Sequence, residues 1–161
     1  MHWPGPDGAG AAVRRPSVHL ACDGQGRPLT FTLTGGNSND CTQFEPVMDG
    51  IRIARPGPGR PRTGPERIAA DKGCSSRKIC SYLRKRGIAC TIPERIDQIN
   101  GSLGRGESLS RLDRTAYRRR NVVERCFGRL KQNRALATRY DKRATHYEAM
   151  VTLACLQLRL P

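Results

Sequence analysis

The sequence predicts a single mixed α/β domain, and three observations lead there. Two runs of alternating apolar and polar residues, Ser17–Cys22 and Pro28–Thr34, are joined by an Asp-Gly turn, the pattern of a β-hairpin. Two short apolar segments, Ile68–Ala70 and Gly87–Pro93, bracket a helical pattern over Arg77–Arg86, the pattern of a β-α-β unit. The last third carries two amphipathic helical patterns. A chain of 161 residues has room for one domain with its own core.

In order along the chain, residues 1–16 are rich in Gly, Ala and Pro without any period, and are expected to be a disordered tail ahead of a domain spanning 17–161. Asp7 lies in that tail, with no strand to hold it. In the hairpin, Asp23-Gly24-Gln25-Gly26 is the turn, and Asp23 reads as a turn residue. A loop through Asn37 and Asn39 leads to a short helix ending near Met48, with Asp40 or Thr42 as the expected N-cap. Residues 52–66 are a Pro, Gly and Arg loop whose composition cannot pack a core; lying along DNA and being a solvated linker are both open for it.

Asp71 ends the Ile68–Ala70 strand, and Gly73 breaks it. A lone Asp there is commonly a turn or capping residue, yet strand ends are also where α/β proteins place chemistry. Ser75 or Ser76 caps the helix that follows, with Ile79, Cys80 and Leu83 turned inward. A Gly C-cap at Gly87 starts the next strand. Residues 94–113 read as a polar, Gly-rich connection, and the next helix is expected to run from Arg114 to Arg134. A short link over 137–142 precedes a closing helix over 144–159, with Tyr147, Met150, Val151, Ala154, Cys155 and Leu158 inward.

The net charge is +15, from 29 Lys and Arg against 14 Asp and Glu, with a pI near 10.4. Most of the cations are Arg, which favours a polyanion gripped by bidentate phosphate contacts. Nucleic acid is the leading partner; a membrane is disfavoured because no long apolar run or lipidation motif is present. The first residues lack the apolar stretch of a signal peptide, so the expectation is a cytoplasmic, nucleoid-associated protein. Seven Cys contain no C-x2-C pair and the three His are scattered, which supports reduced, mostly buried thiols better than a zinc site.

The stretch Tyr117–Lys131 reads as one amphipathic helix around which the chain is organised. At 100° per residue, Tyr117, Arg120, Glu124 and Lys131 share an arc of roughly 60°. Val123, Cys126, Phe127 and Leu130 fall beside that arc, and Arg118, Arg125 and Arg129 fall on the far side. Arg120 stands four residues before Glu124 and can pair with it; an incidental surface ion pair is the bland reading.

The spacing Tyr-x2-Arg-x3-Glu-x6-Lys resembles the YREK signature of a branch of bacterial insertion-sequence DDE transposases. Ala70-Asp71-Lys72-Gly73 followed by Ser75-Ser76 is similar to their second-Asp motif, with Cys74 where an aromatic is usual. The resemblance covers residues 17–159 and implies an RNase H-like (retroviral-integrase-like) mixed sheet flanked by helices, lacking here its first central strand. It implies that Asp71 and Glu124 are the second and third carboxylates that hold two Mg²⁺ ions for phosphoryl transfer on DNA. It implies that Arg120 and Lys131 grip the phosphate backbone and that Tyr117 positions DNA at the cut. It implies double-stranded DNA, transposon ends and target, as partner, and a homo-oligomer as the acting form. The first catalytic Asp, which the family carries on the missing strand, has no counterpart here. Weak or absent strand cleavage by an N-terminally truncated chain is therefore expected, with a basic, non-catalytic nucleic-acid-binding module as the alternative.

Overall fold

The computed structural model describes residues 16–36, 38–104, 113–138 and 144–160. The expected tail with Asp7, the connection over 105–112 and most of the link near 140 lie outside the described residues.

The hairpin forms as its alternation requires. Strand β1 (Ser17–Cys22) pairs antiparallel with β2 (Pro28–Thr34), with a register irregularity between Ala21 and Cys22. Asp23 closes the turn: its Oδ1 accepts the amides of Gln25 and Arg27, both at 2.9 Å, and its Oδ2 accepts Arg27 Nε at 2.7 Å. Gly26 has φ +78°, a left-handed conformation that glycine takes without a Cβ penalty.

A 3-10 turn (Asp40–Gln43) leads into helix α1 (Phe44–Asp49). Neither expected cap acts as one. Asn39 caps the turn by accepting the Cys41 amide at 3.0 Å, while Thr42 Oγ1 donates to the Asn39 carbonyl at 2.7 Å. Asn39 competes for the same capping role one residue earlier, and that leaves Asp40 spare.

Strand β3 (Arg67–Ala69) pairs parallel with β4 (Ala89–Thr91), and helix α2 (Arg77–Lys85) makes the crossover. Ser76 caps α2 through the Ile79 amide at 3.1 Å, and Gly87 (φ +65°) ends it. The polar stretch expected to be a plain connection holds a helix, α3 (Ile96–Gly104). Its start is tied down by Gln98, whose side-chain amide donates to the Ser75 carbonyl. A long-range bond of this kind is invisible to a local reading of composition.

The single helix expected from Arg114 to Arg134 is three: α4 (Arg114–Arg118), α5 (Asn121–Gln132) and α6 (Arg134–Thr138). No Pro or Gly breaks it. The amides of Arg120, Val122 and Val123 bond three residues back instead of four, tightening the backbone around Arg119 and Arg120. Tyr117 therefore sits on α4, Arg120 precedes α5, and only Glu124 and Lys131 of the four share one regular helix. Helix α7 (Ala144–Gln157) closes the fold.

Two apolar clusters hold these elements. Leu33 of β2 packs with Cys126 and Leu130 of α5, Leu136 of α6, and Tyr147, Val151, Ala154 and Cys155 of α7. Met48, Ile51, Ile79, Leu83, Ile88 and Ile92 form the second, around α2 and β4. The inward faces read from helical spacing are observed for Ile79 and Leu83 of α2 and for α7, whereas Cys80, expected inward, is half-buried and belongs to neither cluster. Each fully buried aliphatic side chain contributes about 1.5–3 kcal/mol.

The architecture is mixed α/β, with helices flanking small sheets. Among the described residues the sheets are two separate pairs, β1–β2 and β3–β4. The inner strand of each pair, β1 and β3, faces a cleft of about 1220 Å³ between them.

Candidate functional site

Of the predicted site residues the cleft lining brings together Asp71, Arg120 and Lys131, while Tyr117 and Glu124 are not part of it. Asp71 follows β3 and lines it; so do Arg119, Arg120, Val123 and Lys131 from the α4–α5 region and His19 from β1. Arg67 of β3 reaches Asp113, the N-cap of α4, at 3.1 Å, which ties the Asp71 strand to the helix pair. Apolar residues of both clusters, Met48, Ile51, Leu130 and Val151 among them, make its floor.

Glu124 projects from the first turn of α5, about half exposed, and its Oε1 receives Arg120 Nη1 at 2.6 Å. The Arg120 guanidinium also lies over the Tyr117 ring, 5.4 Å from its centroid. Stacking fixes the plane of the guanidinium and charge pairing fixes its end. Tyr117, Arg120 and Glu124 therefore form one contiguous chain despite the break between α4 and α5. Lys131 stands exposed two turns further on the same helix, within the cleft lining.

Asp71 is exposed, and its Oδ1 accepts the Lys72 amide at 2.7 Å, capping a short 3-10 turn (Lys72–Cys74). The structure thus gives it the capping role and the strand-end position together. Its surroundings are acidic. Burial first, then the Cys41 thiol and the carboxylates of Asp71 and Asp40, together push the Cys74 thiol up to about 11. Cys41 Sγ donates to the Gly73 carbonyl at 2.7 Å, linking the Asp40 turn to the Asp71 turn.

Asp40, which the sequence offered as an N-cap, takes another position. It lines the cleft, and its Oδ1 lies 3.5 Å from His19 Nδ1, while His19 Nε2 contacts Thr34 Oγ1 at 2.8 Å. The signal was the Asn39-Asp40 pair, two residues able to cap with one cap to fill. Burial holds the His19 imidazole below its ordinary value, against the opposing pull of Asp40.

Mg²⁺ requires several hard oxygen ligands in near-octahedral array. Asp71 and Glu124 are of the right chemical type, but one oxygen of Asp71 is committed to the Lys72 amide and one of Glu124 to Arg120. Among the described residues no group of three His, Cys, Asp or Glu side chains is arranged to hold a metal ion. Among the described residues the donor set does not fit a two-ion centre.

The sequence matches the Transposase DDE domain family over residues 2–158, and the chain belongs to that family. It is similar to a protein named as a transposase for insertion sequence element IS402 from Burkholderia cepacia, 34% identical over 151 residues. That match covers 94% of this chain and 65% of the relative, so the chain spans about two thirds of the relative's length. It is also similar to a protein named as a transposase for insertion sequence element IS6501 from Brucella ovis, 23% identical over 143 residues, covering 89% of this chain and 96% of that one. No solved structure matches the chain. Among the described residues no helix is long and apolar enough to cross a membrane.

Proposed function

We propose that this chain acts in DNA transposition as a duplex DNA-binding DDE domain that makes little or no strand cleavage by itself. Residues 17–161 are the domain in this reading. The observation that carries it is the Tyr117–Arg120–Glu124 chain at the edge of a cleft also lined by Asp71 and Lys131, in a protein of this family. Asp71 and Glu124 are the family's second and third carboxylates by motif, and Arg120 and Lys131 are cations suited to phosphate oxygens. Arg120 pairs with Glu124. A phosphate competes for the same guanidinium fork, so DNA entry would release the Glu124 carboxylate.

Cleavage by paired divalent ions would need further oxygen ligands, and among the described residues no three His, Cys, Asp or Glu side chains are grouped to hold a metal ion. The net charge of +15 supports the alternative of a basic nucleic-acid-binding module without chemistry. Both readings expect little cleavage, and a nicking assay on supercoiled DNA with Mg²⁺ or Mn²⁺ tests that shared statement. Little or no nicking by the unmutated chain, with duplex binding retained, supports the reading. Nicking that Asp71→Ala and Glu124→Ala each abolish would show the carboxylates acting as a complete site and overturn the statement on cleavage.

A further inference from the structure

The segment from Arg52 to Arg62 is a closed, projecting finger rather than a slack linker. Ile53 and Arg62 exchange both backbone hydrogen bonds, at 3.0 and 2.9 Å, so the two ends of the segment are clamped. Ile53 is half-buried against the second apolar cluster, which anchors the clamp to the core. From Ala54 to Thr63 every residue is exposed.

The four arginines of this finger divide cleanly. Arg52 donates to the carbonyls of Asp49 and Ile51, at 2.7 and 2.8 Å. Arg62 donates to the Gly64 carbonyl at 2.9 Å and pairs with Glu66 at 3.1 Å. Both are consumed in building the base. Arg86 adds a bond to the Thr63 carbonyl while paired with Asp49. Arg55 and Arg60, at the tip, make no ion pair or side-chain hydrogen bond among the described residues.

The tip itself, Arg55-Pro56-Gly57-Pro58-Gly59-Arg60-Pro61, contains no residue type but Arg, Pro and Gly. The prolines restrict the free loop, so little ordering entropy remains to be lost on binding. Gly59, at φ +142°, takes a conformation that side chains rarely adopt, and the stem of Arg55 passes over it, 3.9 Å from where a Cβ would stand. Two long cations thus project from a backbone that is otherwise bare.

We propose that this finger inserts Arg55 and Arg60 into the minor groove of duplex DNA, with preference for narrow, A·T-rich segments. The inference rests on the DNA-binding reading above and adds the contacting element and the groove. In the major groove Arg reads guanine bidentately, and this tip has no Asn, Gln, Glu or hydroxyl for the other bases, so a major-groove mode would favour G·C over A·T, the opposite of the preference proposed. The minor groove, about 6 Å wide, admits a slender backbone, and its negative potential deepens where A·T runs narrow it. Arginine is favoured there over lysine because its guanidinium is more weakly hydrated. A-form RNA presents a wide, shallow minor groove and does not offer this fit.

The test is fluorescence anisotropy with labelled duplexes of alternating A·T and alternating G·C, with salt titration, and with netropsin and duplex RNA as competitors. The full chain is expected to bind the A·T duplex several-fold more tightly and to be displaced by netropsin. Arg55→Ala with Arg60→Ala should keep the circular-dichroism spectrum, lower A·T affinity about tenfold or more, and reduce the salt slope by about 2. Arg55→Lys with Arg60→Lys should keep the salt slope and lose the A·T preference, a result that loss of folding or of charge would not produce. Equal binding of both duplexes, indifference to netropsin, or unchanged affinity in the double alanine variant overturns the finger while leaving DNA binding intact. Preference for duplex RNA, or no duplex binding at all, overturns the DNA reading with it.

Discussion

Arg120 holds the Glu124 carboxylate at 2.6 Å while lying over the ring of Tyr117. The pair joins a tightened stretch of backbone between two helices to the first turn of α5. A cation that pairs with a carboxylate and lines a cleft is positioned to exchange that partner for a phosphate.

Arg120→Ala should therefore separate binding from stability. The pair is partly exposed and of the i, i+4 kind, so its loss should cost only about 0.3–0.5 kcal/mol in urea denaturation. Duplex affinity should fall, and its salt slope should drop by about 1, the signature of one lost phosphate contact. An unchanged slope would mean that Arg120 serves Glu124 alone.

Acid should destabilise the fold through His19. Burial lowers its pKa in the folded chain from 6.5, with Asp40 pulling the other way. Above 6.5 the imidazole is neutral in both states and its contribution is fully present. Below that value the unfolded chain takes up the proton first, so stability is lost as pH falls through the lower folded-state value. Urea midpoints measured across this window should decline with acidification, and His19→Gln should flatten the decline. Asp40→Asn should widen the window by lowering the folded value further.

The hairpin turn should fail at Asp23. Burial pushes its carboxyl upward, but the amides of Arg27 and Gln25 and the Arg27 guanidinium outweigh that and hold it below the usual range. Asp23→Ala removes three hydrogen bonds at once. A loss on the order of 1 kcal/mol is expected from denaturant midpoints, with the far-ultraviolet spectrum little changed.

Leu83→Ala should be among the most damaging single changes. The side chain is fully buried in the cluster that joins α2 to Met48, Ile51 and Ile88. The expected cost is about 2–5 kcal/mol by urea denaturation, a large part of the stability of a domain this size.

Self-association should follow from what the fold leaves open. Leu153, Leu156 and Leu160 are 61%, 51% and 71% exposed. The inner edges of β1 and β3 have no strand partner among the described residues. Light scattering should show concentration-dependent growth that Leu153→Gln with Leu156→Gln reduces. A monodisperse protein with a cooperative thermal transition would contradict the expectation.

Much of this was legible in the sequence because it is local. Alternation, the Asp-Gly turn and the Ser76 cap specify the hairpin and the start of α2, since each rests on residues within a few positions. The inward faces of α5 and α7 follow from helical periodicity, and the observed core uses them. The break between α4 and α5 was not legible, because its residues are all compatible with helix and only the changed hydrogen-bond pattern marks it. Helix α3 was hidden for a related reason: its start is held by Gln98 reaching Ser75, 23 residues away.

The sequence by itself determined the chemical types available to the site: two carboxylates, Asp71 and Glu124, with Tyr117, Arg120 and Lys131 at set spacing, and an excess of arginine suited to phosphate. Tertiary structure alone decided how they are deployed. It brought β3 and the α4–α5 region to one cleft through the Arg67–Asp113 pair, placed Asp40 against His19, and sorted the loop arginines into two that build its base and two that make no side-chain pair among the described residues. The physical reason is common to all three: pairing partners distant in sequence, or competing for the same acceptors, are chosen by packing, and periodicity carries no record of that choice.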